Sequence, residues 1–203
     1  FLGAGVSLFN TRYGVPGHSH AHGDEHDHGE EGEEEAHEEE AGPVHIGMDQ
    51  RRYELRGGLN GLGAFDTLRV KLARNEYTHT EYEGQDVGTV FDNDSTEARV
   101  ELVHRGWAGW DGAFGLQASQ RDFRAIGEEA FVPASESRDV GLFWIGQRTF
   151  GAVDLEVGAR HDRNRIDVDE EDAIGPSRDF GATSLSGAAR WHFGDDLHLS
   201  FGV

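Results

Sequence analysis

The sequence predicts an all-β chain, an antiparallel up-and-down transmembrane β-barrel of which these residues form an incomplete piece of about nine strands. Three features predict it. Segments of roughly ten to thirteen residues repeatedly alternate apolar with polar or small side chains, the period of two that marks a strand with two unlike faces. The connections between them alternate between long and short, as in outer-membrane barrels, where brief turns lie on one side and extended loops on the other. Finally, 36% hydrophobic content and a mean hydropathy of −0.62 over 203 residues are too low for a large water-excluding core. A barrel needs apolar side chains only at every second position, so it tolerates that composition.

Taken in order, residues 1–13 form a first strand rich in aromatic and glycine residues, and residues 14–47 a long connection. In the next strand Tyr53, Leu55, Gly57 and Leu59 alternate with Arg52, Glu54, Arg56 and Gly58. After a short connection at 60–66, Leu68, Val70 and Leu72 oppose Arg69 and Lys71, and a long loop is expected near 81–95. Strands at 96–107, 113–123 and 138–150 alternate less cleanly but carry β-branched, aromatic and glycine residues. They are separated by a short turn at 108–112 and a longer loop at 126–137. Past a tight turn at 151–152, Val153, Leu155, Val157 and Ala159 oppose Asp154, Glu156, Gly158 and Arg160. A loop at 164–179, a strand at 180–193 and the turn Gly194-Asp195-Asp196 lead to a last strand with Leu197, Leu199, Phe201 and Val203. Tyr13, Phe65, Trp107, Trp110, Phe150, Trp191 and Phe193 fall near strand ends, where interfacial girdles form, and most flank short turns.

A soluble β-sandwich or open meander also uses alternation, but its strands are usually of about five or six residues. Bacterial single-chain barrels have even strand numbers, and residues 1–9 read as a strand entered midway without a basic leader, so a piece of a larger barrel is expected. No stretch approaches the roughly twenty apolar residues of a membrane helix.

Residues 18–45 carry seven histidines and eleven acids without one Lys or Arg. This tract is too polar to fold alone, but flexible imidazoles and carboxylates can close around a divalent cation. The nominated metal ligands are His18, His20, His22, His26, His28, His37 and His45 with Asp24 and Asp27. Imidazole suits zinc, nickel and copper alike, and the spacing matches no closed zinc site, because cysteine is absent and His37 lacks the second histidine of a His-Glu-x-x-His helix. The loop supplies eleven of the net −21 charges, leaving about −10 for the rest, and a chain this acidic does not predict a nucleic-acid partner.

The segment Phe9-Asn-Thr-Arg-Tyr-Gly-Val-Pro-Gly17, the histidine-rich insertion and then Asp49-Gln-Arg-Arg-Tyr-Glu-Leu-Arg-Gly57 resemble the barrel of TonB-dependent outer-membrane receptors, specifically their zinc-uptake branch. The resemblance implies location in the bacterial outer membrane among its lipids, a barrel of twenty-two strands around a plug domain, and coupling to the TonB-ExbB-ExbD complex. Neither plug nor TonB segment is visible in these residues. It implies import of zinc, or of a related metal or its chelate, captured outside by the loop and handed to ligands nearer the barrel mouth. His79, beside Glu76, Glu81 and Glu83, and His161, beside Asp162, are the handover candidates.

Two other classes compete. An outer-membrane barrel enzyme would draw on Ser184, Ser186, His161 and Asp162, but no local spacing makes these a unit, and no Gly-x-Ser-x-Gly elbow or phosphate-binding glycine loop occurs. A soluble metal-chaperoning β protein would explain the histidines but not the alternating connections. The acidic run at 167–172 lacks the glycine and spacing of an EF-hand and reads as a solvated loop rather than a calcium or lipopolysaccharide bridge. His104, His192 and His198 are expected to face the lumen or an interface.

Overall fold

The computed structural model describes residues 1–15, 44–127, 130–169, 177–194 and 197–203. Nine strands are described: β1 (Leu2–Gly14), β2 (Val44–Leu62), β3 (Phe65–Glu83), β4 (Asp86–Trp107), β5 (Trp110–Gly127), β6 (Ser135–Phe150), β7 (Val153–Val168), β8 (Ser177–Phe193) and β9 (Leu197–Gly202). They form one antiparallel sheet in sequence order, with β1 and β9 as its two edges. The predicted up-and-down barrel sector is therefore present, and the sheet does not close on itself. No helix among the described residues is long and apolar enough to cross a membrane.

One expected loop is absent. Where a long connection was expected near 81–95, β3 runs on to Glu83, Gly84 and Gln85 turn the chain, and β4 begins at Asp86. Thr78 donates to Asp92 across this extension at 2.8 Å, and His79 opposes Phe91. Polar and apolar residues are mixed on both faces at this height, with Thr80 opposite Val90 and His79 opposite Phe91, so the period-two apolar signal that reveals a half-buried strand is missing. The strands accordingly reach 22 residues in β4 rather than thirteen.

The register sorts side chains into two faces, because directly paired residues point the same way. On one face Leu55 pairs with Leu72, Leu72 with Ala98, Ala98 with Ala118, and Ala118 with Val140. This row belongs to an uncharged band running from Leu2, Ala4, Val6 and Leu8 on β1 to Leu197, Leu199 and Phe201 on β9. No apolar side chain is buried among the described residues, and Leu142 and Leu185 are 62% and 78% exposed. A sandwich would cover such a face with a second sheet. A single sheet with an apolar band on one side and charges on the other is instead a wall between hydrocarbon and water.

The band slants across the hydrogen-bonded rows. Its upper edge lies at Leu8 on β1 but at Leu185 on β8, and following the register between them drops the edge by eight residues over seven strand steps. At about 3.4 Å per residue and about 4.8 Å per strand, that corresponds to a strand tilt of roughly 40° from the membrane normal, within the range that barrel closure demands.

The lower edge carries the expected aromatic girdle. Phe65 lies 4.9 Å from Trp107, Trp110 6.3 Å from Phe150, and Trp191 5.2 Å from Phe193, ring centre to ring centre. Between them His104 is 2% exposed, and its Nε2 accepts the indole N–H of Trp144 at 3.1 Å. Tight turns close this edge: Ala108 and Gly109 both adopt positive φ, 52° and 80°, as the favoured two-residue hairpin requires.

Gly112 is the fixed point of the girdle. A Cβ there would press into the Ile145 carbonyl oxygen and lie 2.9 Å from His104 Nε2. We expect Gly112→Ala to destabilise the folded barrel by about 1–3 kcal/mol through overpacking against backbone. Urea unfolding of the full-length receptor in lipid vesicles checks this, with an unshifted midpoint as the contrary result.

Candidate functional site

The face opposite the apolar band is a charged wall, because the residues between the apolar positions of β2, β4 and β7 are arginines and carboxylates. Arg52 and Arg56 hold Glu54 from either side at 2.8 and 2.6 Å. On β4 Arg99 Nε donates to Glu101 at 2.7 Å, and on β7 Arg160 donates to Asp162 at 2.6–2.9 Å. Arg99 and Arg160 converge on the Gln117 carbonyl oxygen, at 3.3 and 3.5 Å, and flank the Phe143 ring at 4.6 and 5.7 Å. That ring lies where a Cβ on Gly115 would be, so glycine admits it. Charges at hydrocarbon height survive only on a hydrated or protein-filled side, so this face is the lumen.

Of the nominated metal ligands, His79 alone among those described lies on the lumen face, since it pairs with Met48 and Phe91. Its Nδ1 is 3.4 Å from the Tyr77 hydroxyl, and its ring lies 5.1 Å from Phe91. Nε2 is buried 3.3 Å from Glu81 Oε1 without the alignment of a hydrogen bond. Burial pushes the Tyr77 phenol up, so it stays protonated at neutral pH and keeps its O–H to donate. Met48, directly across from His79, was not singled out in the sequence; its soft thioether beside an imidazole was the available signal.

The register turns His161 the other way. It pairs with Leu142 and Thr183 on the lipid-facing side, and its Nδ1 shares a hydrogen bond of 2.8 Å with the Thr183 hydroxyl. A strand position one residue away from the lumen-facing Arg160 and Asp162 necessarily points outward. His45 also lies on the outward face, stacked on Tyr82 at 4.9 Å and contacted by Arg12. His18, His20, His22, His26, His28, His37, Asp24 and Asp27 lie outside the described residues. Among the described residues no three His, Cys, Asp or Glu side chains are grouped to hold a metal ion.

This geometry, a tilted single sheet with an aromatic girdle, a hydrocarbon face and a charged lumen face, agrees with comparison to known proteins. The family model described as TonB dependent receptor-like, beta-barrel, matches residues 10–203. The chain belongs to that family. TonB-dependent receptor barrels are proteins of the bacterial outer membrane that work with TonB, and the family is one of receptors rather than enzymes. Among solved structures, this TonB-dependent receptor barrel is similar to the FrpB iron transporter from Neisseria meningitidis, F3-3 variant, with a TM-score of 0.65 and 13% identity. The match covers 79% of this chain and 28% of that one, so these residues span little more than a quarter of the transporter, and the likeness is one of fold.

Proposed function

We propose that this barrel sector belongs to a receptor that imports zinc, or a related transition metal such as nickel or copper, free or as a chelate, across the outer membrane. The observation that carries this reading is the tract at 18–45, with seven histidines and eleven acids, all of which but His45 lie between β1 and β2. That connection leaves the sheet at the end opposite the aromatic girdle, the end shared by the longer connections between β5 and β6 and between β7 and β8, which is the outer end in such barrels. The loop captures metal, and His79 with Glu81 at the lumen-side mouth receives it, completed by a ligand from outside the described residues. His161, facing lipid, takes no part. Energy comes from the TonB-ExbB-ExbD complex.

Metal capture weakens on acidification, because protons compete for imidazole nitrogens of unperturbed pKa about 6.5. The test is accumulation of radioactive zinc by cells in which the full-length receptor is the only high-affinity route across the outer membrane. Accumulation that stops when the proton gradient is collapsed is the expected result. Gradient-dependent uptake of a ferric chelate with no zinc entry overturns the zinc assignment.

His79→Ala is expected to slow zinc uptake several-fold at saturating zinc while leaving loop binding unchanged, since it removes a carrier and not the collector. Unchanged uptake at all zinc concentrations removes His79 from the path.

A further inference from the structure

Two histidines stand at the opposite end of the lumen wall from His79. On β8, Trp191 and Phe193 stack on the outward face of the girdle, so His192 between them points into the lumen. The register sets it directly opposite His198 on β9, with the ring centres 6.4 Å apart. Both flank the short connection between these strands, at the girdle end of the sheet, which is the periplasmic end of such a barrel.

His192 is held in one orientation. Its Nε2 donates to Asp154 Oδ2 on β7 at 2.7 Å, and the other carboxylate oxygen accepts from the Thr149 hydroxyl at 2.7 Å. A carboxylate so placed keeps the proton on Nε2 and leaves Nδ1 with its lone pair, which is the support that metal-ligating histidines receive. His198 has no hydrogen bond or ion pair among the described residues, so neither of its nitrogens is committed. The His192 and Asp154 side chains are 44% and 46% exposed, open to the water of the lumen.

We infer that His192 and His198, with Asp154 behind His192, form a second transition-metal site at the periplasmic mouth of the lumen, which takes zinc or copper(II) as the ion leaves. Metal–imidazole bonds of about 2.0–2.1 Å put a ring centre roughly 3.2 Å from its ion, so two rings sharing one ion lie about 5.2 Å apart at a tetrahedral angle and about 6.4 Å apart when in line. The observed separation stands at the outer limit, and rotation of His198, which nothing else holds, closes it. Two imidazoles leave the remaining positions to water. That suits a place of passage, where binding must be strong enough to collect an ion and weak enough to release it. Arg190, directly opposite Asp154, donates through Nε to Ser200 at 3.3 Å, and Asp154 with Glu156 outnumbers its charge, so a cation is not repelled. The role in passage rests on the transport function proposed above; the binding itself does not.

The test is copper(II) electron paramagnetic resonance on the full-length receptor in detergent at neutral pH, in a background that lacks 18–40 and carries His79→Ala. The expected spectrum contains one ion held by two nitrogens and displaced by zinc. H192A/H198A is expected to lose that ion, and D154N, which keeps the shape but not the charge behind His192, to weaken it about tenfold. H198A, whose residue has no partner to lose, is expected to stay folded by heat-modifiable gel mobility, to reduce the spectrum to one nitrogen, and to slow zinc uptake several-fold at saturating zinc. An unchanged two-nitrogen spectrum in folded H198A overturns the site, and unchanged uptake by H198A overturns its place in the passage. If the wild-type receptor shows no gradient-dependent zinc uptake, the transport function alone falls, because the copper spectrum still decides the site.

Discussion

Removing residues 18–40 from the full-length receptor is expected to abolish most of its zinc binding at about pH 7.4, and acidifying the intact receptor to about pH 5.5 to do the same. The tract removed holds six of the seven loop histidines and all eleven loop acids. The deletion stops at 40 for a structural reason. β2 begins at Val44, the Val15 N–H donates to the Val44 carbonyl at 3.0 Å, and His45 pairs with Gly14, so a cut through His45 would also unravel the hairpin. Both acidification and deletion act on the same imidazoles, so their effects do not add. Calorimetric titration with zinc, nickel and copper checks this; full binding after the deletion moves the collector to the barrel mouth.

The largest expected effect on stability lies on the lipid face. Leu116→Arg puts a guanidinium in the middle of the apolar band, where Leu116 is flanked in register by Val100 and Leu142. A basic side chain at such depth costs about 2–4 kcal/mol, the cost of taking charge into hydrocarbon less what snorkelling recovers. Ala73→Lys is the informative contrast. It lies on the lumen face directly opposite Glu97, where a positive charge gains a cross-strand partner, so a change below about 1 kcal/mol is expected. Unfolding in lipid vesicles reads both; equal effects would mean that the two faces do not differ in solvent.

What the sequence discloses follows the solvent on each face. Where one face meets lipid and the other the lumen, as at Tyr53 to Leu59 or Val153 to Ala159, alternation is clean and the strands are legible. Above the membrane neither face meets lipid, so β4 runs through Val90, Phe91, Asp92 and Asp94 with no apolar rhythm, and residues 81–95 read as a loop. The girdle is legible because Trp and Phe collect beside short turns. The direction of a lone histidine is less so: His79 and His161 look alike as strand-end imidazoles beside acids, and only the register, counted from Leu72 or from Leu142, sends one to the lumen and the other to lipid. The convergence of Arg99 and Arg160 on Gln117 and on the Phe143 ring joins residues up to 61 positions apart in four strands, which no local spacing encodes.

Capture by the loop followed by handover at the mouth is tested most directly by initial rates of zinc uptake in cells carrying either the intact receptor or the 18–40 deletion, at limiting and at saturating zinc. A large loss at limiting zinc that vanishes at saturation is expected, since a collector raises local metal concentration without being part of the passage. Equal rates at both concentrations, or equal loss at both, would contradict it.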